Sequence, residues 1–78
     1  MKKIENSECL ISFGKFIRDG RKKKDMYQSE VAQLVGISQP YYSMIENGAT
    51  ERNVDLVLAM KLCKVLGLNF NDFIKQYM

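Results

Sequence analysis

Between Gln28 and Gly48 the chain reads QSEVAQLVGISQPYYSMIENG, and this stretch restricts the fold more than any other. Val31, Ala32 and Val35 recur at helical spacing and Gly36 follows at once, so a short helix over 28–35 stops there. Only Ile37 separates Gly36 from Ser38, a residue suited to cap the next helix, which runs from Gln39 to about Asn47 and ends at Gly48. Pro40 agrees with this, because its missing N–H has no intrahelical partner in a first turn. A connection this short prevents the two helices from lying side by side. They must cross steeply, with Gly36 supplying the left-handed backbone at the turn.

The rest of the chain is also helical in pattern, with no sustained alternation of period two. Phe13, Phe16 and Ile17 define one face of a first helix that begins between Ser7 and Ser12 and ends near Lys24. Gly20 is expected to weaken it by about 1 kcal/mol relative to alanine. A fourth helix is expected from Asn53, a second cap candidate, to Leu66-Gly67. A fifth runs from Asn69 to about Tyr77, with Asn69 and Asp72 spaced as a capping box. The expectation is one all-α domain over 1–78, a compact five-helix bundle with the motif at about 28–47 and a short N-terminal extension over 1–10.

The formal charge of +3 is concentrated in one place. Lys15, Arg18, Arg21, Lys22, Lys23 and Lys24 are opposed locally only by Asp19, a density that points to an anionic partner. Cys9 and Cys63 form no C-x-x-C pair and the chain has no histidine, so neither a metal nor a cofactor is expected. Two free thiols fit a reducing, cytoplasmic setting. The start, MKKIENSECLISFGKFI, has no continuous apolar run and does not read as a secretory signal. The apolar-rich run Val54–Leu68 contains Asp55, Lys61 and Lys64 and is too short for a membrane span. Without histidine, a paired-acid cleft or a glycine-rich phosphate loop, catalysis is not expected.

On a helical wheel the segment 38–47 divides in two. Ser38, Tyr41, Tyr42, Ile45 and Glu46 fall on one side and include the bulky residues. Gln39, Pro40, Ser43, Met44 and Asn47 fall on the other, which is slim, uncharged and mostly equipped for hydrogen bonding. Such a face suits the major groove of duplex DNA, and the geometry is that of a helix-turn-helix.

The text FIRDGRKKKDMYQSEVAQLVGISQPYYSMIENG, followed by LCKVLGLNFNDFI, resembles the Xre/Cro family of helix-turn-helix proteins, which includes the small phage repressors. The resemblance rests on Ile17, Arg18, Arg21, Gln28, Val31, Ala32, Gly36, Ile37, Ser38, Tyr42, Ser43, Ile45, Glu46, Cys63, Leu66, Gly67 and Leu68 at the family's spacing. It implies roles residue by residue. Gln28 falls where the family contacts phosphate and braces the recognition helix. Gln39, Pro40 and Met44 fall where base edges are touched, with Gln39 able to bond adenine bidentately. Ser43 and Asn47 are implied phosphate contacts, Tyr41 lies at the boundary, and Ser38 is counted with the DNA-facing residues. Arg21 and Glu46 match a structural ion pair.

The chain departs from the family in having Asp25 and Tyr27 where a glycine and a Ser or Thr cap usually precede the second helix. Residues 28–48 also carry no Lys or Arg, so attraction to phosphate falls to Arg18, Lys22, Lys23 and Lys24, with Arg52 as an outlying contributor. The apolar surplus of the C-terminal half, including Phe70, Phe73, Ile74 and Tyr77, predicts a homodimer through the fourth and fifth helices. The functional expectation is a sequence-specific regulator of transcription that binds double-stranded DNA as a homodimer. The alternative is a helix-turn-helix module for protein contact, such as an antitoxin or controller partner without its own DNA target.

Overall fold

The computed structural model describes residues 3–50 and 53–77. Five helices follow in order: α1 (Asn6–Lys23), α2 (Gln28–Val35), α3 (Gln39–Glu46), α4 (Leu56–Leu66) and α5 (Phe70–Tyr77). No strand occurs among the described residues.

Three helix starts differ from expectation. The first helix begins at Asn6, so residues 6–10, expected as part of an extension, belong to α1. Asp55, not Asn53, caps α4: its carboxylate accepts the Leu58 N–H at 2.9 Å. A carboxylate there also meets the positive end of the helix, an advantage Asn53 lacks. At α5, Asn69 Oδ1 accepts the Asn71 N–H at 2.9 Å. This is a local turn bond across two residues. The reciprocal bond to Asp72 that a capping box needs is absent among the described residues.

Four helices end in the same way. After α2, the Ile37 N–H reaches the Ala32 carbonyl and the Gly36 N–H reaches Gln33, with Gly36 left-handed at φ 78°. Gly48 and Gly67 hold the matching positions after α3 and α4. After α1 the residue is Asp25, at φ 55°, with Met26 N–H bonded to the Arg21 carbonyl and Asp25 N–H to Lys22. These paired bonds satisfy carbonyls that a helix end otherwise leaves open. Each reversal takes a single left-handed residue, which is why the connections are short.

The core draws on every helix: Phe13, Phe16 and Ile17 of α1, Val31, Ala32 and Val35 of α2, Tyr42 and Ile45 of α3, Leu58, Leu62, Cys63 and Leu66 of α4, and Phe73 of α5. Phe73 is 1% exposed, with its ring 5.4 Å from those of both Phe13 and Phe16. This corrects its assignment to a dimer surface: the two α1 aromatics enclose it. Phe70, Ile74 and Tyr77 remain partly exposed around it, and Leu56, Val57 and Met60 of α4 point outward.

Two glycines of α1 allow close packing. A Cβ on Gly20 would stand 2.7 Å from a Leu68 methyl. The residue expected only to weaken α1 therefore admits the α4–α5 connection against it. A Cβ on Gly14 would collide with the Ile45 carbonyl oxygen and stand 2.5 Å from that of Glu46, so α1 and α3 meet there backbone to backbone.

Candidate nucleic-acid interface

The third helix begins where Ser38 Oγ accepts the Tyr41 N–H at 3.2 Å. Its inward residues, Tyr42, Ile45 and Glu46, are buried. Gln39, Pro40, Met44 and Asn47 are exposed on the outside, and Tyr41 and Ser43 are half-buried at the margins.

Glu46 is a buried carboxylate, 3% exposed. Arg21 donates to it twice, from Nε to Oε2 at 2.6 Å and from Nη2 to Oε1 at 3.1 Å. Gln28 Nε2 donates to the same Oε1 at 3.0 Å. The remaining guanidinium nitrogen, Nη1, bonds the Met26 carbonyl at 2.9 Å. One carboxylate thus ties α1, α2 and α3 together. Burial alone would raise its pKa, but the bonds from Arg21, the neighbouring Tyr42 hydroxyl and the bond from Gln28 outweigh that and hold the carboxyl below its usual range. Arg21 is raised in turn, chiefly by Glu46. The buried Tyr42 hydroxyl has no hydrogen bond of good geometry; burial first, then the neighbouring carboxylate, raises its pKa.

Tyr27 precedes α2 without a side-chain cap of its own, and the Glu30 carboxylate accepts the Tyr27 N–H at 2.9 Å instead. The missing Ser or Thr is compensated from within the helix. Gln28 follows, so its amide is held by Glu46 at the first residue of α2.

Helix winding divides the basic run. Lys15, Arg18 and Lys22 share one side of α1 at spacings of three and four, adjoining the stripe of Gly14 and Arg21 that meets α3. Lys23 lines a groove toward α5 with Asp19, Asp72 and Lys75. Lys24 lies against the end of α4: a Cβ on Gly67 would stand 3.1 Å from Lys24 Cε and 3.4 Å from Nζ. There the ammonium faces the negative end of a helix. Lys15 is absent from the residues expected to meet phosphate, although its spacing from Arg18 and Lys22 is the signal that places it with them. Arg52 lies outside the described residues.

Other features offer little chemistry. Among the described residues no group of three or more metal-ligating side chains comes together, and no helix is long and apolar enough to cross a membrane. Cys63 is buried, which pushes its thiol pKa up and makes it a poor nucleophile.

A short α2, a left-handed turn and an α3 that buries one side and presents the other define a helix-turn-helix domain. The sequence model of the helix-turn-helix family matches residues 17–73, and the chain belongs to this Xre-like family of transcriptional regulators. The control protein C.MunI of a Mycoplasma species is 38% identical over 67 residues, covering 85% of this chain and 88% of its own. The crystal structure of the restriction-modification controller protein C.AhdI from Aeromonas hydrophila aligns with a TM-score of 0.72 at 33% identity, over 82% of this chain and 94% of that one. The clp gene regulator ClgR from Corynebacterium glutamicum aligns with a TM-score of 0.79 at 26% identity, over 88% of this chain and 71% of its own.

Proposed function

We propose that this protein is a cytoplasmic, sequence-specific regulator of transcription of the controller kind, binding duplex DNA as a homodimer with α3 in the major groove. The observation that carries the reading is the outer face of α3. Gln39, Pro40, Met44 and Asn47 stand free of the fold on a helix whose inner side is fixed by the Arg21–Glu46–Gln28 cluster. In this reading Gln39 is the principal base reader, and Pro40 and Met44 make apolar contacts with thymine methyls. Ser38, Tyr41, Ser43 and Asn47 position the helix on phosphates, and Gln28 does so at the start of α2. Lys15, Arg18 and Lys22 supply the charge that α3 lacks.

Similarity supports the controller kind, since C.MunI and C.AhdI match this chain over most of their own length. The exposed Leu56, Val57 and Met60 of α4, with Phe70, Ile74 and Tyr77 of α5, supply an apolar surface for a twofold dimer. Such a dimer would set two α3 helices on half-sites about one DNA turn apart.

The test is a titration of fluorescent duplexes at low and moderate salt. One carries the DNA immediately upstream of the protein's own gene, and the other is its scrambled counterpart. Preference for the upstream duplex that survives added salt supports the reading. Equal, salt-sensitive binding to both places the target elsewhere. No binding at low salt overturns the reading and leaves the protein-contact alternative.

A further inference from the structure

We infer that Gly14 is a positioning residue for DNA readout: its missing side chain sets how far the recognition helix stands from the body of the domain. The inference rests on the DNA-binding reading above.

Gly14 is buried in the middle of α1, where a helix pays for glycine in stability. The packing gives the reason. A Cβ at this position would collide with the Ile45 carbonyl oxygen, and would lie 2.5 Å from Glu46 O and 2.9 Å from Glu46 C. All three atoms are backbone, so no rotamer change relieves the overlap. Relief requires the last turn of α3 to move away from α1 by about 1 Å.

Nearby contacts oppose a compensating shift. One turn earlier on α1, Ile11 lies against Gly48, the residue that ends α3: a Cβ there would stand 2.8 Å from Ile11 Cα. Two turns later, Arg21 grips Glu46 at 2.6 Å. Gly14 lies between these two points, so a side chain there acts as a wedge under a helix held on both sides. The result is a tilt of α3, which carries Gln39 and Met44 out of register with base edges while leaving them exposed. Base readout depends on placement within fractions of an ångström, whereas attraction to phosphate does not. The expected signature is loss of preference with general DNA binding retained.

The test compares Gly14→Ala with Leu66→Ala, a destabilised core variant in α4, and with Gly20→Ala, where the three atoms nearest the added methyl all belong to the Leu68 side chain and not to backbone. Each is measured at a temperature where circular dichroism shows it fully folded. The probes are the duplex that the wild-type protein selects from a randomised library and a scrambled version of it. Gly14→Ala is expected to lose about tenfold or more in the ratio of selected to scrambled affinity, comparable to one bidentate base contact. Its affinity for the scrambled duplex stays close to wild type, and both controls keep the wild-type ratio. The NMR signal of the Arg21 Nε–H, bonded to Glu46, should shift in Gly14→Ala and not in the controls.

A folded Gly14→Ala protein with the wild-type ratio overturns the inference, as does an equal loss in Leu66→Ala. If Gly14→Ala is unfolded in buffer, it is measured in sucrose, which favours compact states. Failure to fold even there also overturns the inference, because the residue would then serve folding itself. If the wild-type chain selects no duplex, the DNA-binding reading fails first, and an unmoved Arg21 signal separately rejects the wedge.

Discussion

Arg21 and Glu46 are separated by 25 residues, yet they meet through two bonds of 2.6 and 3.1 Å, and Gln28 bonds the same carboxylate. The pair joins the end of α1 to the end of α3. Arg21→Ala would leave a nearly inaccessible carboxylate without its cation and is expected to cost about 3–5 kcal/mol. Replacing both partners, as in Arg21→Met with Glu46→Leu, should cost less than the single change. Urea unfolding of the two variants checks the order.

The same carboxylate predicts an acid limit to stability. Its folded pKa is depressed, so its contribution is complete above the ordinary glutamate range and is lost as pH falls through the folded value. Wild-type stability should therefore fall through the acid range below that of an ordinary glutamate. Glu46→Gln should start lower at neutral pH and show a smaller drop over that window. Thermal melts across the acid range measure both.

Asp25 occupies the left-handed position that glycine fills at the ends of α2, α3 and α4. A side chain there is strained, while glycine adds freedom to the unfolded chain, so the two effects oppose each other. Relief of strain should prevail, with Asp25→Gly stabilising by about 0.5 kcal/mol and Asp25→Val destabilising by about 1–2 kcal/mol. Denaturant midpoints of the two variants should move in opposite directions.

Readout and attraction should separate by mutation. Gln39→Ala is expected to lose about 1–3 kcal/mol of sequence preference and keep its salt dependence. Arg18→Ala or Lys15→Ala should weaken binding to every duplex alike and reduce the salt slope by about 0.9 for each phosphate no longer neutralised. Lys24→Ala, at the end of α4, should leave the slope unchanged. Binding isotherms at several salt concentrations distinguish the three outcomes.

The proposed dimer surface is tested on α4. Leu56 and Met60 are 72% and 62% exposed, so a charge at either should leave the fold intact. Met60→Glu is expected to shift sedimentation from dimer to monomer and to lower affinity for a two-half-site duplex.

Much of this architecture is legible in the sequence because local signals carry it. Gly36, Ser38 and Pro40 define the turn and the start of α3 by backbone chemistry alone, and the wheel separates Tyr42, Ile45 and Glu46 from the outer residues. Three features are less accessible because they depend on pairs of elements. Phe73 reads as one apolar residue of a stripe until Phe13 and Phe16 close over it. The basic run reads as one patch until α5 packs beside Lys23 and the end of α4 beside Lys24, leaving Lys22 on another side. Gly20 reads as a weak point in α1, and Gly14 draws no reading at all, until Leu68 and α3 occupy the space beside them. At Asn53 and Asp55 two good caps stand close together, and charge favours the second.

The exposed side of α3 carries almost nothing the domain needs in order to fold. Exchanges at Gln39, Pro40 and Met44 should change stability by no more than about 0.5 kcal/mol, apart from the loss of proline at Pro40. If α3 reads DNA as proposed, inheritance can rewrite the address of such a protein in three codons while the scaffold remains under separate selection. Descendants could diverge in target long before they diverge in shape.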